Sequence, residues 1–335
     1  MSILSIAIVG GGASGWLAAN HLGLALKGRS PKVSITLIES PDVPTIGVGE
    51  GTVPMIRKSL QAFGIEETAL FRCCDASFKQ SIKFISWRHR KPGREMSAFH
   101  HLFDPPSPFG ADLSDFYLDC SGFSGLLMEK ALGVEFISQA DKLWMNKALV
   151  TQVVSVPNAP LPPYTQASAH QAGWIWDIAL PERRGVGLVY CDRYLNDDEA
   201  LHKLNRYLGN QLQCAGEFRS LTMRVGHLQK FWLGNCVALG LAQGFLEPLE
   251  ATSILLTDFA ASLLARKFSS DSETLPVLEA RFNRIVGHAW QVVIDFVALH
   301  YQLSDRSDSA FWRDYRTHLG AQPTSEELAR RLALW

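Results

Sequence analysis

The feature that most constrains this chain is a glycine cluster near its start, set between a short apolar run and a segment of helical period. In "ILSIAIVGGGASGWLAANHLGLAL", Gly10, Gly12 and Gly15 satisfy the spacing GxGxxG. The first glycine allows a tight turn, the second lets a diphosphate approach the backbone, and the third seats the helix on the sheet. A phosphate there meets the free N–H groups and positive end of the helix dipole. A second expected strand, "KVSITLIES", closes on Glu39, 24 residues after Gly15. A carboxylate at that point suits a ribose hydroxyl rather than a 2′-phosphate. Strand, turn, helix and acid together point to an adenine dinucleotide, and leave FAD and NAD both open.

The next stretch, "PTIGVGEGTVPMIRKSL", places Gly47, Gly49 and Gly51 within five residues, a loop closed by Pro54. Such a loop can lay its backbone against a planar ligand. A helix follows, with Thr52 as a candidate cap and Pro54 near its first turn. Dinucleotide folds that bind NAD have no general need of such a loop.

The 335 residues allow one large domain or two unequal ones. A formal net charge of −1 argues against nucleic-acid binding, which needs a basic surplus on some face. Six cysteines, Cys73, Cys74, Cys120, Cys191, Cys214 and Cys236, show no CxxC spacing. Neither a disulfide framework nor a metal site is expected, and the pattern fits a reducing cytoplasm. The apolar N-terminus lacks a basic leader region and runs straight into the glycine turn, so it does not read as a signal peptide. No run of eighteen apolar residues offers a membrane span.

"GWIWDIALP" puts Trp174, Trp176 and Ile178 on alternate positions, hence on one face of an expected strand, with Asp177 on the other. Two readings stand: ordinary core packing, or a flat wall that keeps two reactive species apart. Together with "GVGLVYCDRY" the segment is expected to form a hairpin. Further on, "EARFNRIVGHAWQVVIDFVALHYQL" has apolar spacing near 3.6 and is expected to be a helix over the substrate side.

Five blocks in order, the GGGxxGW turn with "IGVGEGTVP", "SFKQSIKFISW", "GWIWDIALP", "NCVALGLAQGFLEPLEATSI" and "LHYQLSDRSDSAFWR", resemble the flavin-dependent tryptophan halogenase family. The resemblance implies an α/β, mixed α+β fold. It consists of a Rossmann-like FAD-binding domain of the flavin monooxygenase type with a substrate-binding, largely helical C-terminal part. The FAD-binding domain is expected from 1–130 and 221–266, and the substrate side from 131–220 and 267–335. The implied cofactor is FAD, used reduced, with chloride or bromide. Its expected contacts are Gly10, Gly11, Gly12, Ala13, Ser14, Gly15, Glu39, Gly49, Glu50, Leu241 and Ile254.

The implied chemistry separates two cavities. Reduced FAD, oxygen and halide give hypohalous acid, which crosses the protein to an aromatic ring. Trp174, Trp176 and Ile178 would bar an organic molecule from the flavin while a small oxidant passes. Lys79 matches the catalytic lysine that delivers the electrophile, and burial would favour its amine form. Lys83 lies four residues on, and only the motif match separates the two. Glu250 matches the second catalytic residue, able to orient the oxidant and take the ring proton. Glu247 is its near neighbour, with Pro248 favouring a turn between them. The N–H groups of Thr252 and Ser253 resemble a halide site. His101 and Phe103 correspond to surfaces that stack on the substrate ring, the other reading being a core Phe beside a surface His.

With no second GxGxxG, reduced flavin is expected from a separate NAD(P)H-dependent flavin reductase. A small aromatic substrate is expected, and the resemblance admits a homodimer. Four departures mark this sequence. Ala179 stands where the family has proline after the isoleucine, and Ser253 where it commonly has glycine. The family's long segment between "HHLFDPP" and "FYLDCSGF" is nearly absent, and its C-terminal region continues beyond "ELARRLALW". The usual anchors for a free amino acid match nothing, so bare indole or another electron-rich arene is as plausible as tryptophan. The alternative function is a halogenase-like FAD-binding monooxygenase or an inactive relic.

Overall fold

Ile6 and Ile8 are buried while their neighbours are not, so Ser5–Val9 forms a strand, β1, with one covered face. The structure, a computed structural model, describes residues 5–28, 33–39, 55–74, 81–85, 98–102, 116–156, 160–214, 216–266, 274–321, 325 and 329–330. β1 runs parallel to β2 (Ser34–Ile38) and to β5 (Phe116–Asp119), and β5 runs parallel to β14 (Cys236–Ala238). β13 (Trp232–Leu233) adds an antiparallel edge, giving the order β13-β14-β5-β1-β2. After β1, α1 (Ala13–Leu26) buries Gly15, Ala18 and Leu22, a spacing that lines one helical face. This is the expected Rossmann-like βαβ unit within a mixed α/β fold.

A second sheet has seven strands. Their order is β11 (Arg219–Thr222), β7 (Lys147–Val154), β10 (Arg183–Tyr190), β9 (Gly173–Ala179), β8 (Tyr164–His170), β3 (Ser81–Ile85) and β4 (Ala98–Leu102). Its pairs are antiparallel except β3 with β8. The β9–β10 hairpin is the one expected from "GWIWDIALP". Trp176 pairs with Gly187, and a Cβ on Gly187 would lie 2.1 Å from the Trp176 ring, so glycine there makes room for the indole. Asp177 lies on the opposite face, where it accepts from the Arg184 guanidinium and the Tyr207 hydroxyl. The acid on an apolar strand is thus paired.

A small third sheet joins β6 (Phe136–Ser138), β12 (Gly226–Leu228) and β15 (Gly244–Phe245). The remaining helices are α2 (Met55–Phe63), α3 (Glu67–Cys74), α4 (Asp197–Leu208), α5 (Thr252–Ala265), α6 (Leu275–Gln302) and α7 (Ala310–Ala321). Asn196 and Glu199 form a reciprocal capping box that starts α4. α5 is apolar and buried almost all round, as a helix enclosed on several sides must be. One continuous core runs from Ile8 and Leu118 through Trp174 and Val189 to Val297 and Trp312. Both large sheets and the C-terminal helices share it. β3 and β4 come from within residues 1–130 yet belong to the seven-stranded sheet, and β11 straddles residue 221. Among the described residues no helix is long and apolar enough to cross a membrane.

Candidate active site

The glycine turn between β1 and α1 is built by steric exclusion. Gly10 has φ +117°, and a Cβ there would lie 2.2 Å from the Cys120 carbonyl oxygen. A Cβ on Gly15 would come 1.9 Å from the Gly10 oxygen, so turn and helix touch backbone to backbone. Gly12 is different: it caps α1, makes no side-chain cap, and a Cβ there would meet nothing within 4 Å. No acid occupies the first turn of α1. The N–H groups of Ala13 and Ser14 therefore face open space at a positive helix end, a cradle that fits a diphosphate. Glu39 follows β2 and folds over the turn, since a Cβ on Gly11 would lie 2.5 Å from its Oε1. A carboxylate at the rim of a diphosphate cradle fits a ribose hydroxyl, so the residues present suit a dinucleotide.

A second segment closes on this turn. Gly240 has φ +65°, and a Cβ on it would lie 1.8 Å from Ser14 Oγ and 3.6 Å from Thr257 Oγ1. The short turn Gly240–Ala242, which contains Leu241, is thus wedged between the start of α1 and the middle of α5. α1 and α5 are further tied by His21, whose Nε2 lies 2.8 Å from Asp258 Oδ1, and Ser59 of α2 donates to Asp258 Oδ2 at 2.9 Å. The glycine turn, the Gly240–Ala242 turn and the middle of α5 are thus packed together.

The start of α5 is unusual. Ala251 caps it at φ +54°, the one non-glycine residue with positive φ among those described, and supplies no side-chain cap. Thr252, Ser253 and Ile254 form the first helical turn, so their N–H groups have no partner within the helix. An anion is the natural complement. Immediately upstream, Glu247 and Glu250 are both buried, and the expected turn at Pro248 separates them.

Each acid is held by the last turns of α6. His300 Nε2 lies 2.8 Å from Glu250 Oε1, while its Nδ1 lies 2.8 Å from the Phe296 carbonyl oxygen. A carbonyl only accepts, so Nδ1 carries a proton and donates. The imidazole edge thus sits against the acid and fixes where Glu250 faces. Tyr301, the next residue, donates to Glu247 Oε2 at 2.5 Å, and the Trp174 indole N–H donates to the same oxygen at 2.7 Å. Burial lifts the Glu247 carboxyl to about 7, against the pull of its two donors.

Trp174, Trp176 and Ile178 project from one face of β9 as expected; the two indoles are buried, with ring centroids 6.1 Å apart. His101 lies on β4, paired with Ile82 of β3, and Lys83 lies on β3 opposite His100 and Gln166. Gly49, Glu50, Lys79 and Phe103 fall outside the described residues. The sequence reading gave no role to His300 or Tyr301. The one signal for them was a polar pair inside an otherwise apolar helix end.

A family model described as tryptophan halogenase matches residues 5–108 and 110–335. The chain is 31% identical to the tryptophan 7-halogenase RebH of Lentzea aerocolonigenes, covering 92% of this chain and 78% of RebH. It is 30% identical to the tryptophan 6-halogenase ThaL of Streptomyces albogriseolus, covering 93% and 78%. Among solved structures, a tryptophan halogenase from Shewanella frigidimarina superposes with a TM-score of 0.89 at 31% identity, covering 100% of this chain and 83% of that one. BrvH, a flavin-dependent halogenase from a Brevundimonas species, gives 0.86 at 28%, covering 100% and 85%. The RebH alignment runs over 419 positions, more than this chain has residues, so RebH carries additional segments between the matched blocks.

Proposed function

Because the chain belongs to the tryptophan halogenase family and is a flavin-dependent enzyme, we propose that it halogenates an electron-rich, indole-like ring. The oxidant is made at one end of the site and spent at the other. The observation that carries this reading is the uncapped start of α5 at Ala251, directly after the buried, paired acid Glu250, on a helix that is tied to the α1 of the glycine turn. The start of α1 holds the diphosphate of FAD, with Glu39 on the ribose and Leu241 and Ile254 beside the ring system; Gly49 and Glu50 add to the cofactor contacts. When bound and reduced, FAD supplies the oxidation of chloride or bromide by molecular oxygen, with water as the by-product. Thr252 and Ser253 hold the halide through backbone N–H groups.

Trp174, Trp176 and Ile178 keep the arene from the flavin side. Lys79 takes the hypohalous acid and presents its halogen to the ring, where His101 and Phe103 stack on the substrate. As the carbon–halogen bond forms, the hypohalite oxygen leaves as water. Glu250, oriented by His300, accepts the displaced ring proton. The reduced flavin comes from a separate flavin reductase, and the setting is the cytoplasm.

The test supplies purified chain with FAD, NADH, a flavin reductase, bromide or chloride, and indole or tryptophan. A product carrying the halogen isotope pattern in mass spectrometry is expected. Lys79→Ala should retain flavin and lose that product, which separates the enzyme from hypohalous acid leaking into solution. Hydroxylated product without halogenated product overturns the reading in favour of a monooxygenase.

A further inference from the structure

Glu247 has no exposed surface, and its two oxygens are used unequally. Oε2 takes both donors, Trp174 and Tyr301, whereas Oε1 is buried without a hydrogen-bond partner. The groups meeting there come from β9, from the turn ahead of α5, and from the end of α6. Tyr315 of α7 is a further titratable neighbour; burial pushes both tyrosines well up, so neither ionises near neutral pH. Among the described residues no charged group from these elements is paired with the carboxyl. A leucine in place of Glu247 would leave an indole N–H and a phenol O–H buried without their acceptor.

We propose that Glu247 is the positioning residue of the tryptophan wall, its Oε2 fixing the Trp174 indole against the turn that carries Glu250. Trp174 is the first indole of the face that Trp176 and Ile178 continue, and its N–H is the wall's polar handle. Two residues, Pro248 and Leu249, separate Glu247 from Glu250, so the wall and the acid are set by one short piece of chain. The anchoring stands on this geometry alone; its effect on turnover rests on the function proposed above.

The test is nuclear magnetic resonance of protein labelled at indole nitrogen, with Trp174→Phe identifying the signal, beside the coupled halogenation assay. The Trp174 N–H resonance should lie downfield and move with pH around a midpoint of about 7 as Glu247 titrates. Glu247→Leu should lose the downfield position. It should also yield at least about fivefold less halogenated product per flavin oxidised, through kcat rather than KM. Glu247→Gln, whose amide oxygen still accepts both donors, should recover most of that loss, and its Trp174 signal should no longer titrate. If Glu247→Leu does not fold, Tyr301→Phe removes one donor from the same oxygen and should shift the Trp174 signal. A Trp174 resonance unmoved in Glu247→Leu, or in Tyr301→Phe where that stands in for it, overturns the proposal. So does an altered resonance with unchanged product per flavin. Should the resonance behave as expected while wild type halogenates nothing, the anchoring stands and the proposed function falls.

Discussion

His300 reaches Glu250 across fifty residues of sequence, its Nε2 2.8 Å from Oε1, and the Phe296 carbonyl fixes which ring nitrogen is left to face the acid. That contact holds the Glu250 carboxyl in one orientation beside the start of α5. Replacing Glu250 by Gln should lower halogenation by about 10²–10⁴-fold with flavin binding retained, the usual range for losing a general base. Replacing His300 by Phe removes the group that sets the orientation of Glu250, so kcat should fall with KM little changed. An unchanged kcat in His300→Phe refutes the pairing.

The glycine turn separates folding from binding. Gly15→Ala puts a methyl 1.9 Å from the Gly10 oxygen and should lower the melting temperature of the flavin-free protein. Gly12→Ala puts its one methyl into open space, so that protein should melt close to wild type while its affinity for FAD falls. Calorimetry with and without flavin distinguishes the two. Equal losses of stability in both variants would refute the open-cradle geometry.

Glu247 gives stability a pH dependence of known sign. Its folded pKa of about 7 lies above the unfolded value of 4.5, so the native state binds more protons than the unfolded one between them. Its contribution is complete below pH 4.5 and declines as pH rises through about 7, for a total on the order of 3 kcal/mol. Urea unfolding at successive pH values should show Glu247→Gln gaining on wild type across that interval. A constant difference between the two would contradict a buried, titrating carboxyl.

Ala251 sits at φ +54°, where an L-residue carries about 1–2 kcal/mol of strain. Ala251→Gly relieves it and costs less than that in chain entropy, so a gain of up to about 1 kcal/mol is expected. The start of α5 should be preserved, and flavin titration should read unchanged.

What the sequence made legible was local. Gly10, Gly12, Gly15 and Glu39 declare themselves because turn, helix start and strand end lie within thirty residues. The period-two pattern of Trp174, Trp176 and Ile178 gives the strand and its face, and the period of residues 279–303 gives a helix found at Leu275–Gln302. The partners of Glu247 and Glu250 were not legible, because hydrogen bonds spanning 54 and 73 residues leave no periodic trace. Gly187 was silent for the same reason: its lack of a side chain matters only once Trp176 lies across it.

α6 touches both halves of the molecule. Near its start Asn283 accepts from the N–H groups of Phe231 and Trp232, and Phe282 packs edge-on against Trp232 at the border of the parallel sheet. At its far end it presents His300 and Tyr301 to the two acids. An unbroken helix behaves as a rod, so these ends cannot be adjusted separately. One residue inserted between them would swing one grip about 100° around the axis and push it about 1.5 Å along. Length in this rod is therefore a gauge block, and changes that retune the chemistry have to come through side chains rather than spacing.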